Sequence, residues 1–214
     1  MIFKGPGGHS FVEFGLPSAI HAMGRAIAKI SDLRTPTDPK TTFTVGTVRG
    51  GTSVNAISME ARMAVDMRSN STEELLKLEA RVLALVKEAV EDENKRWGSD
   101  KLTVEIKLIG DRPAGIVATD SVIVQATRRS IEAITRAPRV SFVGASTDSN
   151  LAMSLGIPAV TLGGGGEGGN WHSLNEWYKP VDAHLGPQHV LLVLLALAGV
   201  EGATQPLLSV RQGR

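Results

Sequence analysis

Three stretches of the chain alternate apolar and polar residues, and two others, one before the first and one between the second and third, repeat apolar residues with helical spacing. Thr41 to Val48 alternates and is rich in β-branched residues. Glu60 to Arg68 alternates strictly, with Ala61, Met63, Val65 and Met67 on one face and Glu60, Arg62, Asp66 and Arg68 on the other. Leu102 to Leu108 alternates again, with Thr103, Glu105 and Lys107 polar. Each pattern predicts a strand with one buried face. Residues 17–31 place Ile20, Met23, Ile27 and Ile30 on one helical face, and Pro17 suits the first turn. Ser71 and Glu74 have capping-box spacing and open a helix predicted to run to about Trp97. Its buried stripe is Leu75, Val82, Val86 and Val90, and Glu73–Lys77 and Glu91–Lys95 are i,i+4 pairs on the wet side. Residues 1–4 read as the end of a strand, and Gly5 to Gly15 as a loop. Residues 1–113 therefore predict a β-α-β-β-α-β, ferredoxin-like sandwich with both helices on one face of an antiparallel sheet.

The rhythm changes after Arg112-Pro113-Ala114-Gly115. A helix is predicted from about 121 to 136, capped near Thr119-Asp120. A short strand is expected at Val140 to Val143 and a helical turn at Ala145 to Asn150. Ile157 to Leu162 is a continuous apolar run, as in a parallel strand buried on both faces. A glycine loop follows, then a helix from about 187 to 200. Residues 114–214 thus read as part of an α/β domain, which alone would expose sheet edge and apolar surface. The fold class is α/β.

Composition narrows the choice of partners. Of 214 residues, 42% are hydrophobic and 21% charged, as in globular proteins. A net charge of +1 gives no pull toward nucleic acid or anionic lipid. No apolar run approaches the roughly 20 residues that span a bilayer. Met1 to Gly7 has no signal-peptide h-region, so a cytoplasmic protein is expected. The chain has no cysteine, so a transition metal would have to rely on His, Asp and Glu.

Glycine marks the candidate chemistry. Between Gly163 and Gly169 only Glu167 is not glycine, more than a chain reversal needs. Gly163, Gly165 and Gly168 fit G-x-G-x-x-G, but no helix opens directly after them, which argues against a dinucleotide site. Close approach of the backbone to a ligand is the preferred reading. The loop delivers His172 from the C-terminal end of the apolar run, where open α/β sheets bind ligands, and this favours a site residue over a core histidine. His9 is a second histidine presented by glycines. His21, His184 and His189 read as surface or packing residues. Asn55 and Arg68 lie thirteen residues apart. An arginine fork suits a carboxylate, although spacing alone makes Arg68 a solvated edge residue. Asp148 suits a helix N-cap. Neither His-x-Asp nor H-E-x-x-H occurs, nor does a serine-nucleophile elbow.

In their order these segments resemble the M20 family of zinc amidohydrolases and peptidases. The resemblance rests on Gly5-Pro6-Gly7-Gly8-His9-Ser10, Gly50 to Ile57, Val65-Asp66-Met67-Arg68-Ser69, Gly144 to Asp148, Gly156 to Val160 and His172 to Tyr178. It implies that residues 1–113 are the family's lid or dimerisation domain, and that 114–214 are the C-terminal portion of a zinc-exopeptidase-like catalytic domain. It implies a homodimer in which His9 steadies the oxyanion in the partner's cleft, while Asn55 and Arg68 hold the substrate carboxylate across the dimer. His172 matches the last zinc ligand, and the backbone of Gly163, Gly164 and Gly165 lines the cleft. The substrate class is a small peptide or N-acyl amino acid, cleaved by zinc-bound hydroxide at a centre of two zincs. The family's other ligands and its general base precede the lid, and this chain has none of them. The chain alone is therefore expected to be an inactive part of a hydrolase. The alternative is a non-catalytic dimerising module on the same scaffold.

Overall fold

A computed structural model describes residues 1–135 and 146–209. The chain divides into two compact units, Met1–Ala114 and Gly115–Arg214.

The first unit runs β1 (Ile2–Lys4), β2 (Gly8–His9), α1 (Ala19–Ser31), β3 (Thr41–Gly50), β4 (Ala56–Ile57), β5 (Glu60–Ser69), α2 (Thr72–Arg96) and β6 (Thr103–Glu105). Four strands form a sheet in the order β3-β5-β1-β6, antiparallel throughout. This is the ferredoxin-like arrangement that the alternation implies. Phe3 of β1 pairs with Ala61 and Val104, and all three point toward the helices. Ala19, Ala22, Met23, Ala26 and Ile30 of α1 join Leu78, Val82, Leu85, Val86 and Ala89 of α2 over that face. The long helix turns Leu78 and Leu85 inward, while Leu75 is only half-buried.

The alternation of β3 breaks earlier than Gly50-Gly51. Gly46 is an extra residue between the pairs Val45–Val65 and Thr47–Ala64. Such a bulge flips the side-chain parity. Phe43 and Val45 point inward before it, and Val48 lies opposite buried Met63 after it.

Helix ends differ in detail from the sequence reading. Pro17 precedes α1, which begins at Ala19. The first amide protons of α1 go to distant partners: Ser18 N donates to Glu93 Oε1 at 3.2 Å and Ala19 N to the Ser58 carbonyl at 3.1 Å. Ser71 Oγ accepts from Glu74 N at 3.4 Å, which is half of a capping box. Ser71 N donates instead to Ser69 Oγ at 3.1 Å, and the Glu74 carboxylate pairs with Lys77 at 2.8 Å. Lys77 also meets Glu73 at 2.7 Å, the expected i,i+4 pair.

The second unit holds α3 (Val122–Ile134), α4 (Ser149–Ser154), β7 (Glu167–Gly169), β8 (Trp177–Lys179) and α5 (Leu185–Ala198). Helices α3 and α5 pack together, with buried His189 setting Nε2 3.1 Å from the Thr127 carbonyl. His189 is thus a packing residue. The N-cap of α3 is Ser121, one residue beyond the expected Thr119-Asp120. Ile157 to Leu162 is not a strand. A parallel strand exists only through neighbours that take its hydrogen bonds, and no described strand pairs with this run. The expected strand Val140 to Val143 lies outside the described residues. Helix α5 is apolar on nearly every side and leaves Leu191 and Leu194 more than half exposed.

Candidate functional site

Two features of the first unit place His9 and Asn55 side by side. β2 and β4 pair antiparallel, with His9 opposite Ala56, and Ser10 N donates to the Asn55 carbonyl at 2.9 Å. Ser53 Oγ donates to Asn55 Oδ1 at 2.6 Å, so the amide nitrogen is what Asn55 offers a carboxylate. The His9 ring is also engaged. Its Nδ1 accepts from Phe11 N at 3.3 Å and Val12 N at 3.4 Å. His9 N donates to the Glu13 carboxylate, while Glu13 N donates back to the His9 carbonyl at 2.9 Å.

Arg68 stands elsewhere. It pairs in register with Thr42, at the far end of β5 from the Asn55 loop. Eight residues of strand separate it from Glu60, roughly 26 Å at about 3.3 Å per residue. Its Nε donates to Asp66 Oδ2 at 2.7 Å on the solvent face, where both side chains are half exposed. One protomer therefore does not bring Asn55 and Arg68 together.

In the second unit the glycine loop leads into a hairpin missed in the sequence, because glycine carries no alternation. β7 pairs with β8, Glu167 opposite Lys179 and Gly169 opposite Trp177. The loop between them holds His172 at φ 63°, a conformation that costs a non-glycine residue of order 1–3 kcal/mol. It is kept there by His172 N donating to Glu176 Oε2 at 3.0 Å and by Ser173 Oγ donating to the Asn170 carbonyl at 2.7 Å. Glu176 is a supporting residue that no spacing in the sequence singles out. The His172 side chain is exposed.

The glycines divide into two kinds. At Gly165 an added Cβ would stand 2.2 Å from the Ala183 carbonyl oxygen, and at Gly186 one would stand 2.2 Å from Gly164 backbone atoms. There the close approach is to the chain itself. Gly163 and Gly164 face open space. Gly186→Ala is accordingly expected to destabilise the second unit by about 2 kcal/mol, the usual cost of overpacking. Urea unfolding followed by tryptophan fluorescence measures this, and an unchanged midpoint would contradict the packing described.

Asp148 occupies the N-cap position of α4 without a side-chain cap bond; Thr147 N donates instead to Asn150 Oδ1 at 2.9 Å. Thr161 Oγ1 lies 2.7 Å from Thr147 Oγ1 and 2.8 Å from Ser149 Oγ, tying this turn to the segment before the glycine loop. Among the described residues, no three His, Asp or Glu side chains converge where a metal ion could sit. A two-zinc centre therefore does not fit the donors among the described residues.

The peptidase dimerisation domain of the M20 family matches residues 1–94. Residues 1–94 are an M20 dimerisation domain. The chain as a whole is similar in fold to solved peptidases and amidases. It is similar to aminopeptidase PepT from Bacillus cereus ATCC 10987, at 29% identity and a TM-score of 0.61, covering 90% of this chain and 49% of that one. A tripeptidase from Staphylococcus aureus subsp. aureus Mu50 shares the fold at 20% identity and a TM-score of 0.66, covering 90% and 48%. A hydantoinase/carbamoylase family amidase from Burkholderia vietnamiensis does so at 18% identity and a TM-score of 0.62, covering 91% and 45%. No curated protein matches the chain. The chain spans about half the length of the solved structures it resembles. The match takes in α1, nearly all of α2 and three of the four strands of the sheet in the first unit, and β6 lies beyond it. Among the described residues, no helix is long and apolar enough to cross a membrane.

Proposed function

We propose that the chain is the dimerising lid, residues 1–113, and the C-terminal catalytic portion, residues 114–214, of a cytoplasmic M20-type amidohydrolase. The complete enzyme hydrolyses a small peptide or N-acyl amino acid and recognises the free carboxylate of its substrate. The observation that carries this reading is the β2–β4 pairing, which presents the His9 imidazole beside Asn55 on a glycine-formed turn. An imidazole N–H and an amide N–H suit a carbonyl oxygen and a carboxylate respectively. Arg68 adds a guanidinium, the preferred partner of a carboxylate. Gly163 and Gly164 line the cleft with open backbone, and His172 is the one zinc ligand this chain contributes. No step through zinc follows from these residues.

The homodimer forms along β3. This strand is ten residues long and stands at the edge of its sheet, with Val48 more than half exposed. Long edge strands invite pairing. Antiparallel pairing of two copies through β3 brings Arg68 of one copy to the end of the sheet that carries Asn55 of the other. The carboxylate site is then completed only by two chains. The exposed leucines of α5 support the view that further polypeptide covers the second unit. That no metal-binding cluster occurs among the described residues favours, as second reading, a non-catalytic dimerising module on the same scaffold.

Sedimentation equilibrium of the purified chain tests the dimer. A dimer at micromolar concentration is expected, and a monomer throughout that range would contradict the lid assignment. Hydrolysis of N-acyl amino acids after joining the chain to the upstream half of a related M20 enzyme separates the two readings. Recovered hydrolysis supports the enzyme, and its absence in a folded, zinc-loaded fusion supports the module.

A further inference from the structure

The turn that carries His9 is built around its ring. The ring nitrogen Nδ1 faces two backbone donors, Phe11 N at 3.3 Å and Val12 N at 3.4 Å. A nitrogen that accepts cannot carry the proton, so the neutral ring holds it on Nε2. The His9 backbone is gripped at the same time. Its N–H donates to the Glu13 carboxylate and its carbonyl accepts from Glu13 N at 2.9 Å. The Glu13 carbonyl in turn accepts from Leu16 N at 3.2 Å, and Phe14 packs edge-on against Trp97 with ring centroids 5.4 Å apart. The turn is thus anchored to the end of α2.

The glycines before His9 make room for this grip. Gly8 has φ 150°, and a Cβ there would stand 3.1 Å from Glu13 Cβ and 3.3 Å from Glu13 Oε2. Gly7 has φ 72°, and a Cβ there would stand 2.2 Å from Met59 Cγ. A side chain at Gly8 would crowd the Glu13 carboxylate that reaches the His9 amide.

We propose that Glu13 is a positioning residue that orients the His9 ring, so that the ring presents Nε2–H outward as a hydrogen-bond donor. This rests on the proposed role of His9 toward a substrate oxygen, and it specifies the tautomer in which His9 acts: a donor at Nε2 whose Nδ1 is already occupied. In that state the ring does not serve as a proton acceptor at Nε2. The carboxylate acts through the backbone of His9 and has no contact with the ligand. Charge-assisted bonds of this kind are the stronger ones among exposed contacts.

The test is side-chain nitrogen NMR on the full chain, with His9 assigned by its loss in His9→Gln. The expected wild-type result is a ring protonated on Nε2 only, with a single χ1 rotamer. Glu13→Ala is expected to give a rotamer-averaged His9 ring with no change in melting temperature. Glu13→Gln, which keeps an acceptor oxygen, is expected to restore the single rotamer. A wild-type ring protonated on Nδ1, or a His9 signature unchanged in Glu13→Ala, would overturn the proposal. A drop in melting temperature with an unchanged His9 rotamer would assign Glu13 a purely structural part and overturn it as well. The measurement involves neither dimer nor substrate. A monomeric chain therefore sinks the proposed function without touching this result, and the reverse also holds.

Discussion

Replacing Glu93 with alanine is expected to destabilise the first unit by about 3 kcal/mol, in the range for breaking a buried charged pair. The Glu93 side chain is fully buried. It accepts from Arg25 Nε at 2.9 Å, Ser18 N at 3.2 Å and Trp97 Nε1 at 3.1 Å, and His21 Nδ1 lies 3.5 Å away. One carboxylate thus caps the start of α1, holds the indole at the end of α2 and neutralises Arg25. Alanine leaves the Ser18 and Trp97 donors without their acceptor, each costing of order 1–3 kcal/mol when buried. Arg25 is 39% exposed and can rehydrate, which keeps the loss at the lower end of the range. Thermal unfolding is expected to show a fall in melting temperature of more than about 10 °C for a unit of this size. A loss below about 1 kcal/mol would show that the network adds little beyond ordinary hydrogen bonds.

The same carboxylate makes stability depend on pH. Burial alone would raise the Glu93 carboxyl. The donors Arg25, Ser18 and Trp97, with the charge of His21, outweigh burial and hold it below its ordinary value of 4.5. A group depressed in the folded state contributes stability above its unfolded value, and loses it as pH falls through the folded value. The first unit is therefore expected to be at full strength above about pH 5 and to weaken below that. In Glu93→Gln this acid limb flattens.

Glu93 also shows where the sequence stops being legible. It sits in Glu91-Asp92-Glu93-Asn94-Lys95-Arg96, a run that reads as a solvated helix end, and only the fold reveals that its third member turns inward. The sandwich itself was legible, because Ala61, Met63, Val65 and Met67 state one buried face without ambiguity. The bulge at Gly46 was not, since an inserted residue leaves no mark in a pattern of Thr and Val. Ile157 to Leu162 shows the converse failure. Ile157, Ala159, Val160 and Leu162 announce burial, but a strand is a relation to neighbours, and periodicity says nothing of those. The nearness of His9 and Asn55 depends on two short strands of two residues each, beyond the reach of any window. The order of glycine, histidine, asparagine and arginine motifs suggested the family resemblance. It did not show that Asn55 lies in a loop beyond one end of β5 while Arg68 stands near the other end.

The second large effect concerns metal. In the proposed reading His172, on an exposed hairpin loop, would supply only one of the four ligands that a tightly held zinc needs. The absence of cysteine removes the donors that most often make up such a deficit. A two-zinc amidohydrolase centre then requires ligands from another segment of polypeptide, and the chain by itself is expected to show no hydrolysis even with zinc in excess. Metal analysis of the purified chain after zinc loading and exhaustive dialysis tests this most directly. Less than one zinc retained per chain is expected, and two tightly held zincs per chain would contradict the proposed function.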